Sequence, residues 1–395
     1  MKPLTWTVVA VLVVVALGGI AFRIFESGDE SGDQAGAGST PEPGPPLEIS
    51  VVTALPTEPW LTDIADQYNS EEHLVENRPV QVEVIPMDGL SALNKWARGE
   101  FDPVPTAWLA ESRAWVDQAN VGVLDRTGRD VFLAGGQYRT QPVVLSPIVW
   151  GIWQETYGAL QQHFANTDIS WDELHEAAVV SQWTDLGGKA EWGTFKLVMA
   201  HPRRDPAGLT AMVGAAGEFY DKPTVTTDEL QDTAFLNWLA DSLNTVVDFS
   251  PVGVENMLLF GRSNGDAGQI VESYLLTNME GLQQRWDEPL VIVYPDPIAW
   301  FDFPYAIYMG EETSALDKEA ALDFKEFLLS TDPQLAALDF GLRPANPDVS
   351  STGGLVKRWE DLGVKVAIPS ASRMREASRS GLDALTQWYV ATYEQ

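Results

Sequence analysis

Short β-branched apolar runs alternate along the chain with stretches whose apolar residues recur every three or four positions, which predicts strands and helices in turn. LEISVVTAL, residues 47–55, is the first such run. In PTEPWLTDIADQYNS, which follows it, Trp60, Ile64 and Tyr68 fall on one helical face. PVQVEVIP gives a second strand, GLSALNKWARGE a helix ending near Gly99, and TAWLAESRAWV a strand end followed by a loop and a helix. This order predicts a doubly wound α/β lobe.

QPVVLSPIVWGIW, residues 141–153, is a longer apolar segment, long enough to leave one lobe and enter another. Beyond it SWDELHEAAV and DELQDTAFLNWLADSLNTVV have helical spacing, with the strand FKLVMAHP between them. PLVIVYPDPIAWFDFPYAIYM supplies two strands around a proline-rich bend that can carry the chain back. The last hundred residues are mainly helical: Ala320, Ala321, Phe324, Phe327 and Leu328 form one stripe, Pro333 marks its break, and Gly341 sits where a helix C-terminal glycine belongs. The expected fold class is α/β, two doubly wound lobes with a hinge, residues 47–148 and 301–395 building the first lobe and 149–300 the second.

A different pattern precedes the lobes. LTWTVVAVLVVVALGGIAF, Leu4 to Phe22, is an uncharged run of 19 residues, close to the roughly 20 a helix needs to cross a bilayer. Lys2 precedes it and acidic residues follow Arg23, so the positive-inside bias leaves the remainder outside the cell. Residues 1–25 are read as a transmembrane anchor, with a signal segment cleaved after the small residues Gly19 and Ala21 as the alternative. Residues 26–46, rich in Gly, Ser, Pro and acids, are read as a disordered linker.

Composition narrows the function. With 57 acidic against 25 basic residues the net charge is −32, which excludes a nucleic-acid binder because phosphate contacts need a basic face. The chain has no cysteine, so no disulfide, thiolate metal site or cysteine nucleophile can form. Fifteen Trp imply a substantial core. His73, His163, His175 and His201 are isolated, without zinc-site spacing. FGRSNGDAG lacks the ending of a phosphate-binding loop, no Gly-x-Ser-x-Gly elbow occurs, and carboxylate pairs such as Glu111 and Asp117 follow from the abundance of acids. No enzyme activity, cofactor or metal is expected.

PTAWLAESRAW, WGTFKLVMAHPRRDPAGLTAM, VYPDPIAWFDFPYAI and FKEFLLSTDPQLAALDFGLRP, taken in order, resemble the bacterial extracellular solute-binding proteins of the family 11 type, in the molybdate-binding-like class II of periplasmic binding proteins. The resemblance spans residues 47 to about 347. It implies two α/β lobes joined by crossover strands, a ligand in the cleft between them and closure by hinge motion.

AHPRRDPAGLTAMVG, residues 200–214, is the candidate site best supported by its own residues. Arg203 and Arg204 stand at the turn where a strand ends and a helix begins, the place where open α/β sheets bind ligands. Asp205 suits the helix N-cap and Pro206 the first helical position, so the N–H groups of Ala207, Gly208 and Leu209 are expected to point outward toward an anion. Similar family members carry Pro-x-x-Ser-x-x-Gly, matched here by Pro202, Asp205 and Gly208 with a carboxylate in place of the hydroxyl. A carboxylate only accepts hydrogen bonds, which argues against an oxyanion. The alternative is that Asp205 merely caps its helix while the arginines pair with surface acids.

The loop TALPTEP adds Thr53 and Thr57, with helix capping as the alternative role of Thr57. From the resemblance come Thr106, Trp108 and Ser112 as a strand-end loop, Trp108 being equally suited to core packing, and Glu272 and Ser273 as the end of a second-lobe strand. Trp150, Trp153 and Trp300 are assigned to the hinge core.

The expected protein is thus a monomeric, membrane-tethered extracellular binding protein, anchored through residues 4–22, that captures a small polar solute for an ABC-type transporter permease or a sensor. A surface module that has lost its small ligand and meets another envelope protein is the alternative.

Overall fold

The computed structural model describes residues 44–394 apart from Asn166, Asp248 and Pro251. The segment expected to anchor the chain, and the linker up to residue 43, lie outside the described residues. Among the described residues no helix is long and apolar enough to cross a membrane.

The described strands are β1 (Leu47–Thr53), β2 (Leu74–Val75), β3 (Arg78–Pro86), β4 (Ala107–Leu109), β5 (Gln141–Pro142), β6 (Val144–Trp153), β7 (Leu197–Val198), β8 (Ala267–Val271), β9 (Leu290–Val293), β10 (Trp300–Phe301), β11 (Pro304–Ile307) and β12 (Arg343–Pro344). They form two sheets, each the base of one lobe of an α/β fold.

The first sheet has the order β2-β3-β1-β4-β11-β5. At its centre β1 lies parallel to both neighbours, with Thr53 opposite Pro86 of β3 and Leu109 of β4, so three carboxyl ends and the loops after them share one edge. The period-two burial of Leu47, Ile49 and Val51 turns one face of β1 toward the helix Glu58–Ser70, which buries Trp60, Leu61, Ile64 and Tyr68. On the same edge Asp88 starts the helix Gly89–Arg98 by accepting from the Ser91 N–H at 2.9 Å. Gly99 ends that helix at a φ of 65°, a conformation that favours glycine.

The second sheet, β10-β6-β8-β7, is organised around β6, which also pairs with β9 and β12. All pairs with β6 are antiparallel and only β7 and β8 run parallel, so the expected doubly wound pattern fits the first lobe and not the second. The long strand receives partners from widely separated parts of the chain. DELQDTAFLNWLADSLNTVV divides into the helices Thr227–Leu230 and Thr233–Leu243 because Asp232 caps the second, accepting from the Ala234 N–H at 3.0 Å.

The chain changes sheet at three places. Only Val143 separates β5 from β6, and only Asp302 and Phe303 separate β10 from β11; both crossings fall in segments read as connections from the sequence. Phe303 has a φ of 28°, a costly region for a residue with a side chain. The third crossing follows the helix Ala315–Leu328, which packs on β1 and β11, when β12 joins β6. After it the chain stays with the second lobe: the helix Arg379–Tyr393 packs on Thr227–Leu230 and on Pro206–Phe219. Assigning all of 301–395 to the first lobe therefore has to be corrected, since two residues of β12 carry too little pattern to reveal a crossing. Trp150 and Trp153 are buried inside the second lobe and not at the crossing through Val143, which corrects their assignment to the hinge core: the former lies edge-on to Trp171 at 4.7 Å and the latter donates its Nε1–H to the Gly265 carbonyl at 2.9 Å.

Candidate functional site

The carboxyl ends of the central strands meet across a cavity of about 300 Å³. The first lobe contributes Leu55 and Pro56 after β1, Asp88 and Gly89 after β3, and Glu111 after β4. The second contributes Arg204 to Ala207 at the start of the helix Pro206–Phe219, Gln269 of β8, Tyr274, and Glu255 of the helix Gly253–Phe260. This is the position a crossover α/β topology leaves open for a ligand, because strand ends from both sheets converge there.

Glu111 is strongly changed by its surroundings. It is only 6% exposed and its carboxyl lies at the start of the helix Gly89–Arg98, where the Gly89 N–H donates to it. Burial pushes its carboxyl up to about 8, and the nearby charges of Asp205 and Asp88 push the same way against the backbone N–H groups. Oε2 has no hydrogen-bond partner among the described residues. Across the cavity Gln269 is 3% exposed and its Nε2 is likewise without a partner. Buried polar atoms are ordinarily paired, so two such atoms on facing walls of one cavity are groups in want of a ligand.

Asp205 caps its helix as expected, accepting from the Ala207 N–H at 2.8 Å, while the Gly208 N–H reaches the Asp205 carbonyl at 3.2 Å. The N–H groups of Ala207 and Gly208 are therefore engaged, which corrects the expectation that they face an anion. Burial raises the Asp205 carboxyl above its usual range, with Glu255 adding to the effect. Arg204 is exposed at the cavity rim; its backbone N–H donates to the His201 carbonyl at 3.0 Å, while its side chain makes no hydrogen bond or ion pair among the described residues. Arg203 turns away to pair with Glu394, and with Ser112 it lines a neighbouring groove of about 480 Å³. Gly208 serves packing, since a Cβ there would stand 2.2 Å from the Ala200 carbonyl oxygen.

The remaining candidates are corrected by register and burial. Thr53 and Thr57 reach the right edge, but their hydroxyls bond each other at 3.0 Å in the core, and Thr57 caps nothing with its side chain. Thr106 precedes β4, and because Val51 is opposite Ala107 it sits at the far, amino end of the strand, where its hydroxyl accepts from the Ser50 N–H at 3.3 Å. Trp108 is fully buried between Trp96 and Phe132. Glu272 is fully buried in a two-pronged pair with Arg343 at 2.6 and 2.8 Å, with the Tyr294 hydroxyl donating to the same carboxylate. Ser273 donates its N–H to the Ser146 hydroxyl at 3.0 Å within the same buried region.

Asp88, Gly89, Glu111, Glu255 and Gln269 were not singled out as site residues. The available signal was position: Asp88 and Glu111 each lie in the loop just beyond a strand of the first sheet, past Met87 and Ala110. Among the described residues no group of three or more His, Asp or Glu is placed to hold a metal ion.

Two α/β lobes, three crossings and a cavity at the converging strand ends define the class of two-lobed solute-binding proteins. Residues 49–343 match the family described as bacterial extracellular solute-binding protein, and the chain belongs to it. Its fold is similar to that of the ferric binding protein from Campylobacter jejuni, with a TM-score of 0.56 and 11% identity over 88% of this chain and 98% of that one. It is also similar to the sulfate-binding protein SubI from Mycobacterium tuberculosis, with a TM-score of 0.53 and 15% identity over 88% and 99%. The cyclic alpha-maltosyl-1,6-maltose binding protein from Arthrobacter globiformis gives a TM-score of 0.55 and 17% identity over 88% and 98%. At these identities the likeness is one of fold. No curated protein matches the chain.

Proposed function

We propose that this protein captures a small polar solute between its lobes outside the cytoplasm and presents it to an ABC-type transporter. The observation that carries the reading is the cavity itself: residues after β1, β3 and β4 and residues of the second lobe line one space of about 300 Å³, at the lower end of the range for small-molecule pockets. Two buried polar atoms without partners, Glu111 Oε2 and Gln269 Nε2, border it from opposite lobes. Membership of a solute-binding family supports the same reading.

A solute touching both lobes would hold them together, and closure would use the three crossings as hinge. The apolar run Leu4 to Phe22 would tether the domain to the membrane, keeping it near its permease. Binding to the native state alone raises the unfolding midpoint, by an amount set by the ratio of free ligand to Kd. Thermal unfolding of the full chain against a panel of cations, anions and neutral sugars therefore tests the proposal. A concentration-dependent rise with one solute is expected; no rise with any, in a protein that instead co-purifies with a membrane partner, would overturn it.

A further inference from the structure

We infer that the solute is a small organic cation with N–H donors at one end and a hydrogen-bond acceptor at the other, an inference that rests on the solute-capture reading above. Four carboxylates, Asp88, Glu111, Asp205 and Glu255, border the cavity against one cation, Arg204, which stands exposed at its rim. An ionised carboxylate only accepts, so an anion entering here would meet repulsion from both lobes. The Asp205 N-cap strengthens the bias, because it occupies the helix N–H groups an anion would need.

The partnerless atoms define the ligand further. Glu111 Oε2 has no partner; the buried carboxyl keeps its proton in the unliganded protein, and an ammonium group brought against it favours the ionised form and supplies up to three donors. Asp88 and Asp205 each use Oδ1 to cap a helix, leaving Oδ2 of each to accept from the same head. Gln269 Nε2, from the opposite wall, is a donor and needs an acceptor such as a hydroxyl or an amide carbonyl. Tyr274 and Phe301 line the same space and add aromatic surface beside the carboxylates. The absence among the described residues of a three-ligand metal cluster favours a molecule over a bare metal ion.

The test is calorimetric titration and thermal unfolding of the full chain in detergent with ethanolamine, glycinamide and putrescine, against choline, sulfate, maltose and calcium. At least one of the primary amines is expected to bind, with choline weaker by about tenfold because it has charge but no N–H. Glu111→Gln is expected to weaken the amine by about tenfold or more while leaving the unliganded midpoint unchanged or higher. Gln269→Leu is expected to weaken ethanolamine and glycinamide but not putrescine, which lacks an acceptor. Binding of sulfate, maltose or calcium with none of the amines would overturn this inference and leave solute capture standing. Amine binding indifferent to both substitutions would overturn it as well, and no binding of any solute would overturn both readings.

Discussion

The Glu111 carboxyl lies so close over Gly89 that a Cβ added to residue 89 would stand 2.3 Å from Oε1. Glycine at that helix start is what lets a buried carboxyl from the loop after β4 take a helix N–H. Gly89→Ala is therefore expected to displace Glu111 while costing little stability, because the colliding group is the end of a side chain and alanine is the better helix former. Solute affinity should fall with the unfolding midpoint nearly unchanged. A loss of fold with affinity retained would contradict this account.

Glu111 also sets a pH dependence. Its native carboxyl titrates near 8 instead of the usual 4.5, so between these values the native state holds a proton the unfolded chain has lost. Its contribution to stability is complete below 4.5 and is lost as pH rises through about 8. Glu218 and Glu376, each pushed up to about 7 chiefly by burial, and Asp266, pushed to about 6, act in the same direction. Urea midpoints of the unliganded protein should decline from mildly acid to mildly alkaline pH, and Glu111→Gln should flatten the decline. The groups facing Glu111 are Asp88 and Asp205, so the shallower slope belongs to this cluster.

Glu272 and Arg343 join the last crossing strand to the second lobe by a pair that is 0% and 4% exposed at the side chains. Breaking a buried pair leaves one uncompensated charge and costs about 3–5 kcal/mol. Glu272→Gln and Arg343→Met should each lower stability by that order in chemical denaturation. Among the folded molecules that remain, solute affinity should be unchanged, which separates a structural Glu272 from a ligand residue.

What could be read from the chain, and what could not, follows from the range of the forces involved. The crossing through Val143 was visible because β5 and β6 together make an apolar run too long for one lobe. The Asp205 cap was visible because capping is a matter of neighbouring residues. Thr106 was misplaced because which end of β4 meets the cleft depends on its register against β1, a pairing across more than fifty residues. Glu111 was set aside as one of 57 acidic residues, since only the fold brings Asp88, Asp205 and Gly89 around it. Glu272 falls between Gln269 and Tyr274, which both border the cavity, and no local feature distinguishes it from them.

The helix start that drew attention in the sequence now separates into parts with different roles, and two substitutions distinguish them. Gly208 lies against backbone: a methyl group there would stand 2.2 Å from the Ala200 carbonyl oxygen and 2.9 Å from the Pro202 nitrogen. Neither atom can yield by rotating a side chain, so Gly208→Ala must shift the turn and should destabilise the protein by about 1–3 kcal/mol, as overpacking commonly does. Because the turn carries Asp205, affinity should fall with it. Arg203 is half-exposed and paired with Glu394, an arrangement worth about 0–1 kcal/mol at a surface. Arg203→Ala should therefore leave both the unfolding midpoint and solute affinity close to those of the unaltered protein. Equal losses of affinity in the two variants would mean that Arg203 reaches the solute after all, and that the cavity bordered by Asp205 is not the whole of the binding site.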